Sequence, residues 1–383
     1  MIIKNAKIYT MAGAIIENGY IEFSDKIKSL GDMKDCPDTD FDTFDAKGMR
    51  IYPGFIDAHC HIGIIENSIA DEGDDCNEMT DPVTPHLRAL DAVNSLDRSF
   101  SEALEAGITT TLTGPGSSNP IAGQIVAMKT YGICIDDMIL KAPVAMKFAL
   151  GENPKRIYGD NKSSPGTRMA IAAIIRDELR KAKDYAEKDP ESREYDAKLE
   201  ALSLLFTQNL QVHVHTHRVD DIFTAIRILD EFKLNYCILH CTEGHMIAER
   251  LGKMGAKVCT GPLITDRTKP ELANATLENP GILSKNGVLT AIVTDHPEVP
   301  IQYLPICAGL AVREGMDYEE ALKAITINPA KICKIDERVG SLEVGKDADM
   351  CLFDTDPLTI MAKPKMVICD GEIAFEEAEL CAR

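Results

Sequence analysis

Tryptophan is absent from this 383-residue chain, and aromatic residues make up only 5% of it. Surfaces that stack nucleic-acid bases depend on such rings, so their scarcity argues against a nucleic-acid partner. Basic residues are also outnumbered, 41 against 61 acidic ones, which gives a formal net charge of -20. A surface this acidic repels both phosphate backbones and anionic lipid. We therefore expect neither nucleic acid nor a membrane as a partner.

Long hydrophobic runs and paired cysteines are missing as well. No stretch of about 18 apolar residues exists to span a bilayer, and the Met1–Lys4 start lacks the layout of a signal peptide. The 12 cysteines are scattered singly, and several lie inside apolar runs such as Met350-Cys351-Leu352. In a chain of this length, that pattern is typical of reduced, buried thiols. We expect a cytoplasmic protein without a disulfide framework.

The chain does contain short β-like runs at both ends and alternating strand-like and helical runs between them. Apolar residues recur at helical spacing over 85–106, over 164–206 as two helices, and over 220–232 and 243–254. Repeated strand–helix units predict a parallel sheet, and their combined length suits a (β/α)8 barrel. The sequence thus predicts an α/β fold, with a TIM-like (β/α)8 barrel at 51–337 and a small β-sandwich domain built from 1–50 and 338–383.

Histidine carries the most specific signal, because most of the 9 histidines lie at the end of a strand-like run. In a barrel, the C-terminal ends of all strands converge on one mouth, and residues two apart on a strand share a face. Imidazoles together with a carboxylate are the ligands that a Zn²⁺-like ion prefers, and such an ion lowers the pKa of bound water to about 7. The sequence therefore predicts one or two divalent ions, with zinc the first candidate. The residues at these strand ends are His59, His61, His213, His215, His217, His240 and Asp295.

Two segments carry a resemblance to a known family. Pro53–His61, with the sequence PGFIDAHCH, resembles the first metal motif of the amidohydrolase superfamily. Gly340–Met350 resembles the return into the small β-sandwich of that superfamily. The resemblance extends over essentially the whole chain, and it is nearest to the imidazolonepropionase-related branch, close to the metal-dependent dipeptidases. It implies a divalent metal cofactor and hydrolysis of carbon–nitrogen bonds.

The resemblance also implies roles for individual residues. His59 and His61 match the metal ligands of the first strand. His240 matches a histidine that binds a second metal or the substrate carbonyl. Asp295 matches an aspartate that is both a ligand and the general acid/base. Asp57, near the first motif, is expected to orient a ligand histidine without binding metal itself.

The fifth and fourth strands leave alternatives open. In the fifth strand, the resemblance implies that His215 is a ligand and His217 faces the substrate, but His213 also faces the barrel interior if the strand is regular. In the fourth strand, Lys147 matches a carboxylated lysine that bridges two metals, which would be a modification of its amine. Glu152 is the rival bridge, because a carboxylate needs no modification.

Several loop residues are candidates for contacts with substrate. Lys155, Arg156, Tyr158 and Arg218 could bind a substrate carboxylate through paired donors. The 114–119 loop could do so through backbone N–H groups, although turn formation explains it equally well. The acidic loop at 66–81 is interpreted as a solvated lid, and His86 and His245 are interpreted as structural.

These observations predict a metal-dependent amidohydrolase that cleaves an amide or cyclic amide of a small molecule. Metal-activated hydroxide would attack the carbonyl carbon, Asp295 would carry the proton to the leaving nitrogen, and His240 or His217 would polarise the carbonyl oxygen. The alternative is a carboxypeptidase for N-acyl amino acids or dipeptides, with a deaminase third. A catalytically silent scaffold is disfavoured because every expected ligand position is filled. A homo-oligomer is expected by analogy.

Overall fold

The computed structural model describes residues 1–38, 42–67 and 70–377. Within these residues the chain forms two sheets and a set of helices. The strands are β1 (Ile2–Ile8), β2 (Ile16–Phe23), β3 (Ile27–Asp32), β4 (Thr43–Asp45), β5 (Arg50–Pro53), β6 (Phe55–Cys60), β7 (Ile108–Thr113), β8 (Ile121–Lys129), β9 (Ile139–Ala149), β10 (Gln211–Thr216), β11 (Tyr236–His240), β12 (Lys257–Thr260), β13 (Leu289–Ile292), β14 (Met350–Phe353), β15 (Met366–Cys369) and β16 (Glu372–Glu376).

The larger sheet is a nearly closed barrel. Its eight strands follow the order β13-β12-β11-β10-β9-β8-β7-β6. The first and last strands meet just beyond their ends, where the Asp295 N–H donates to the His59 carbonyl at 3.1 Å and the His61 N–H donates to the His296 carbonyl at 2.8 Å. All residues of β6, β7 and β10 are buried, as expected for strands covered on both faces. The prediction of a TIM-like α/β barrel is confirmed at this level.

The prediction of parallel strand–helix units throughout is wrong for the third barrel strand. β8 runs antiparallel to both of its neighbours, β7 and β9. A Gly-Pro-Gly turn at 114–116 directly follows β7, and the chain then returns as β8 and pairs with β7 instead of forming a helix. The helix predicted over 85–106 is largely absent as well, because Val83 and Arg88 pair with β8 through isolated bridges. That stretch ends in only one short α-helix.

Helices are present in the predicted stretches 164–206, 220–232 and 243–254, and further helices form where the apolar spacing predicted none. The helices are α1 (Arg98–Leu104), α2 (Ile135–Met138), α3 (Glu152–Asp160), α4 (Arg168–Ala186), α5 (Ala197–Thr207), α6 (Val219–Glu231), α7 (Ala248–Lys253), α8 (Asn279–Lys285), α9 (Leu304–Arg313), α10 (Tyr318–Lys323) and α11 (Ile327–Cys333). Helix α4 begins at Thr167, whose side chain accepts a hydrogen bond from the Ala170 N–H. It buries a stripe that includes Ile171, Ile175 and Leu179. The predicted pair of helices over 164–206 is confirmed as α4 and α5.

The second sheet takes strands from both ends of the chain. Its order is β16-β15-β14-β5-β1-β2-β3, with β4 paired to β1. Strand β5 pairs with β14, so this terminal sheet extends to residue 53, slightly beyond the predicted boundary at residue 50. The division into a β-sandwich domain of 1–50 and 338–383 and a barrel domain of 51–337 stays a prediction.

An ion cluster joins the terminal sheet to the barrel. It is here called the Lys129 cluster and consists of Lys129, Asp347, Asp349 and Asp370. Lys129 ends β8 and is 3% exposed. Its Nζ lies 2.9 Å from Asp347 Oδ2, 2.6 Å from Asp349 Oδ2 and 2.8 Å from Asp370 Oδ1. The three carboxylates flank β14 and β15, so one lysine ties three points of the terminal sheet to the barrel.

Candidate metal centre

Two histidines and an aspartate meet where the first and last barrel strands end. His59 lies on β6, and His61 follows two residues later on the same face. The Nε2 atoms of both rings lie 3.2 Å from Oδ1 of Asp295, which follows β13. All three side chains are almost completely buried, with 2%, 9% and 15% exposure for His59, His61 and Asp295. The structure thus brings together three of the predicted ligands.

Three further imidazoles face this group from the fifth and sixth barrel strands. The ring centroid of His240 lies 4.4 Å from that of His215, 4.7 Å from His217 and 5.3 Å from His59. Ligand atoms of His215, His217 and His240 all lie within 4.8 Å of one another. The same holds for His59, His240 and Asp295. His240 therefore belongs to two overlapping sets, and each set could hold a divalent ion.

Hydrogen bonds on the far side of two rings fix which nitrogen faces the centre. Nδ1 of His61 lies 2.7 Å from the Gly114 carbonyl oxygen, and Nδ1 of His240 lies 2.8 Å from that of Gly261. A carbonyl only accepts, so each Nδ1 carries a proton; the Nε2 of His240 then directs its lone pair inward, whereas that of His61 faces the Asp295 carboxylate. Buried polar atoms are rarely left unpaired, so unpaired lone pairs here fit a cation. The imidazole Nε2 atoms without a hydrogen-bond partner among the described residues are those of His215, His217 and His240.

The charges of these groups suit metal binding. Burial lowers the pKa of His217 and of His240 to about 3, so both rings are neutral at pH 7, as ligands must be. His61 differs: burial lowers its pKa, but the neighbouring Cys76 and Asp295 outweigh that effect and raise the pKa to about 10. His61 and Asp295 therefore share a proton when no cation is bound, at a place that a divalent cation can take.

Lys147 lies at the centre of the cluster, on β9. Its side chain is buried, and its Nζ lies 3.1 Å from Nε2 of His59. Burial lowers the pKa of Lys147 to about 8, although Asp295 opposes the shift. An amine with this pKa is partly neutral near pH 7, and the neutral amine is the form that can react with carbon dioxide to give a carbamate.

The rival residue, Glu152, begins α3, and its backbone N–H donates to Glu271 at 3.0 Å. The structure places Lys147, not Glu152, against His59.

Of the three histidines of the fifth strand, His213 lies deeper in the barrel than the other two. His213 pairs in register with Lys147, and its Nε2 lies 3.2 Å from Oε1 of Gln211. It therefore lies one layer below His215, towards the barrel floor, and belongs to neither ligand set. His215 and His217 reach the mouth, which favours them over His213.

The backbone around the centre is unusual at two of the candidate ligands, His240 and Asp295. His240 has φ 65° and Asp295 has φ 55°, a left-handed conformation that costs an ordinary residue roughly 1–2 kcal/mol. Such strain persists only where the surroundings enforce it, and it concentrates at functional sites. Asp57 helps to hold the backbone in place, because its carboxylate accepts hydrogen bonds from the His59 N–H at 3.1 Å and the Thr294 N–H at 3.2 Å. Asp57 thus holds the backbone beside two ligands rather than an imidazole ring.

A cavity of about 420 Å³ opens onto the centre. Of the four residues predicted to bind a substrate carboxylate, Arg156 lines it. Tyr158 is buried elsewhere and donates to Asn119 Oδ1 at 2.6 Å, while Arg218 pairs with Asp220 at 2.9 Å. Lys155 is exposed and is not among the described lining residues. The substrate roles of these four residues stay predictions.

Two loops form one wall of this cavity. Cys76 and Asn77, from the loop after β6, line it together with residues 116–118 from the loop after β7. The Ser118 N–H donates to Asn77 Oδ1 at 3.1 Å and joins the loops. The acidic side chains of the 66–81 loop, whose residues 68–69 lie outside the described chain, face elsewhere. Asp74, Asp75 and Glu78 line an adjoining cavity of about 330 Å³, together with His86.

Sequence reasoning missed a buried carboxylate beside the histidines. Glu271 lies in a short 3-10 turn after β12 and is 1% exposed. Its Oε1 lies 3.6 Å from Nε2 of His217 and 3.0 Å from Nζ of Lys269, which lines the cavity. No periodic pattern marks Glu271 or Lys269. The available signal was position alone, since both follow the seventh barrel strand.

Comparison with known proteins places the chain in a family. The Amidohydrolase family model matches residues 50–374. The chain belongs to the amidohydrolase family. This confirms the resemblance predicted from the two motifs, and the family name denotes hydrolases of amide-type carbon–nitrogen bonds. No helix in the described residues has the length and apolarity needed to cross a membrane.

Individual relatives and structures agree with this assignment. The chain is 27% identical over 398 residues to amidohydrolase tasK of Hapsidospora irregularis, a match that covers 96% of this chain but 40% of that protein's length. A 56-residue segment is 61% identical to imidazolonepropionase of Shewanella baltica (strain OS185), covering 13% of this chain and 14% of that protein. The crystal structure of an amidohydrolase from Thermotoga maritima MSB8 is similar over 98% of this chain and 100% of that chain, with 38% identity and a TM-score of 0.94.

Proposed function

We propose that this protein is a metal-dependent hydrolase that cleaves the carbon–nitrogen bond of an amide or cyclic amide in a small molecule. The observation that carries the proposal is the presence of two overlapping sets of ligand atoms, His59 with His240 and Asp295, and His215 with His217 and His240, each within 4.8 Å of one another. Neutral imidazoles with one carboxylate are a ligand set for Zn²⁺, although other divalent ions accept the same donors.

The donor set fits one or two divalent ions. His59, His61 and Asp295 would hold one ion, and His215 with His240 would hold a second. Lys147, converted to a carbamate, would supply an anionic group between them. A bound ion would lower the pKa of water towards 7 and polarise the substrate carbonyl.

The side chains of the protein would move the proton and orient the substrate. Asp295, held by two imidazoles at 3.2 Å, would accept the proton of the attacking water and pass it to the leaving nitrogen. His217, whose Nδ1 lies 2.7 Å from Thr242 Oγ1 and can accept from that hydroxyl, would then carry its proton on Nε2 and donate it to the carbonyl oxygen of the substrate. His240 is less suited to that role, because its proton is on the Nδ1 that faces the Gly261 carbonyl.

A carboxypeptidase that acts on N-acyl amino acids or dipeptides is the second candidate within the same chemistry. It is favoured by the cations in the cavity wall, Arg156 and Lys269, which a substrate carboxylate could pair with. A ring amide without a carboxylate would leave both cations unused.

Metal analysis combined with a substrate panel tests the proposal. The purified protein should contain at least one divalent ion per chain, and a chelator should abolish activity that Zn²⁺ restores. The panel would contain N-acyl amino acids, dipeptides, hydantoin-like rings and imidazolone-like rings. Hydrolysis of any amide or cyclic amide supports the proposal; a metal-loaded protein that hydrolyses none of them, or one that only deaminates amino-substituted rings, contradicts it.

A further inference from the structure

We infer that Lys269 is the anchor for a carboxylate of the substrate, and that Glu271 and Asn153 position it. This inference rests on the proposed function, because it names the class of molecule that the same cavity accepts: a small amide that carries a carboxylate near the bond to be cleaved. Lys269 comes from the loop after β12, far in sequence from the residues that the motifs identified.

The first observation is the arrangement of the Lys269 ammonium group. Nζ of Lys269 lies 3.0 Å from Glu271 Oε1 and donates to Asn153 Oδ1 at 3.2 Å. Asn153 in turn donates to Ser117 Oγ at 2.8 Å. An ammonium group has three N–H donors. One is used on Asn153, whereas Oε1 of Glu271 pairs with the cation by charge and has no hydrogen-bond partner among the described residues, so donors remain for the cavity. The loop after β12, helix α3 and the loop after β7 together fix the cation at one place.

The second observation is the depth of the two charges. Glu271 is 1% exposed, whereas Lys269 is 27% exposed and lines the cavity. The negative charge thus lies beneath the surface, and the positive charge faces the substrate. A bound anion would meet the cation first.

The third observation explains why Glu271 does not simply neutralise Lys269. Oε2 of Glu271 accepts from the Glu152 N–H at 3.0 Å, at the N-terminus of the nine-residue α3. This end of a helix carries partial positive charge and stabilises a carboxylate. Gly151 permits the approach, because a Cβ there would lie 3.0 Å from Glu271 Oε2 and its φ is +94°. Part of the Glu271 charge is therefore satisfied away from Lys269.

The fourth observation is a second cation in the same wall. Arg156 lies three residues after Asn153 on α3, so both point to one side of the helix. Arg156 and Lys269 both line the cavity that contains Lys147, His215 and Asp295. A carboxylate held between the two cations would place the neighbouring amide within the cavity, towards the histidines.

The test measures binding, so that it does not depend on turnover. The probes are small keto acids, which have a carbonyl and a carboxylate but no amide, and their neutral methyl esters. Calorimetry on the metal-loaded full-length protein should show that the acids bind at least tenfold more tightly than the esters. Lys269→Met should lower the affinity for the acids at least tenfold and leave that for the esters unchanged, and Lys269→Arg should recover most of the loss.

The matched control is Lys253→Met. Lys253 also pairs with a glutamate, Glu249, but it is 73% exposed on α7, so it should leave the preference for acids intact. An unchanged acid-to-ester preference in Lys269→Met, or a wild-type protein that binds acids no better than esters, overturns the inference. If the wild type binds the keto acids as expected but hydrolyses no amide, the proposed function fails while the carboxylate anchor stands.

Discussion

The metal centre and the Lys129 cluster are both buried and both rich in ionisable groups, yet they differ in how completely their atoms are paired. In the Lys129 cluster, one ammonium group meets three carboxylates at 2.6–2.9 Å. Arg338 and Lys26 also contact Asp347. Three cations thus balance three anions, and the cluster is complete.

In the candidate metal centre, by contrast, not every polar atom has a partner. Three of its imidazole nitrogens have no hydrogen-bond partner among the described residues, and two of them belong to His217 and His240, rings that burial keeps neutral. The Lys129 cluster shows that the charged side chains of a cluster in this chain can all have partners of opposite charge. This contrast supports the proposal that the unpaired atoms at the barrel mouth bind a cation and substrate, whereas the Lys129 cluster stabilises the fold.

Removal of the acid/base should produce the largest effect and leave the fold unchanged. Asp295→Asn keeps the shape but loses the carboxylate that holds the proton, so turnover should fall by roughly 10⁴-fold, equivalent to about 5.5 kcal/mol. Steady-state kinetics and thermal unfolding would be measured together. Asp177→Asn, on the exposed face of α4, is the control. Wild-type turnover in Asp295→Asn would show that the acid/base assignment is wrong.

Breaking the complete cluster should do the opposite: it should destabilise the protein without altering its chemistry. Lys129→Met leaves the buried Asp349 without a cation, because Lys26 and Arg338 contact only Asp347. This should lower the free energy of unfolding by about 3–5 kcal/mol. Lys181→Met is the control, since Lys181 also meets two carboxylates, Asp177 and Glu178, but is 52% exposed and should change stability by less than about 1 kcal/mol. Urea denaturation measures both. If the two variants were equally stable, the Lys129 cluster would contribute no more to stability than the exposed ion pairs of Lys181.

A substitution at Lys147 tests whether this lysine only balances charge or supports the candidate metal centre. Lys147→Met should reduce the affinity for the second divalent ion by about 10–100-fold, as expected when a group that supports a metal site is lost. Metal titration followed by mass spectrometry of the intact protein would report both the ion count and a mass increase from a carbamate in the wild type. Unchanged metal content in Lys147→Met, with no added mass in the wild type, would limit Lys147 to charge balance.

The alternation of His59 and His61 at a strand end was enough to predict their convergence with Asp295, because strand periodicity and the geometry of a barrel mouth determine it. The resemblance implied that His215 is a ligand and that His217 faces the substrate. The residues alone could not separate these two from His213, because alternation places all three on one face and only depth along the barrel distinguishes them. Lys269 and Glu271 were missed for a different reason. Their positions depend on how the loop after β12 folds back onto α3, which no local pattern encodes.

The antiparallel β8 shows the same limit at the level of the fold. The Gly-Pro-Gly turn at 114–116 was visible, but its consequence was not, since either a helix or a strand can follow such a turn. The pairing of β8 with β7 and β9 decided the outcome. Tertiary pairing thus overrode a pattern that suited strand–helix repetition elsewhere in the chain.

Acid should weaken the Lys129 cluster, with a smaller effect than the substitutions above. Burial raises the pKa of Asp347, but Lys129, Arg338 and Lys26 outweigh that effect and lower the pKa to about 2. Because the folded-state pKa lies below the unfolded value, this group stabilises the protein above about pH 4, and the contribution is lost as the pH falls towards 2. Asp347→Asn should therefore flatten the loss of stability between pH 4 and 2, measured as the urea midpoint. Parallel curves for the variant and the wild type would contradict this explanation.

The most direct measurement is anomalous X-ray diffraction from crystals grown with Zn²⁺. The account predicts a peak within about 2.0–2.2 Å of His59 Nε2, His61 Nε2 and an Asp295 oxygen. A second peak near His215 and His240 would establish two ions. Strong anomalous peaks elsewhere on a correctly folded barrel, with none among these side chains, would contradict the claim that these histidines and Asp295 hold a divalent cation.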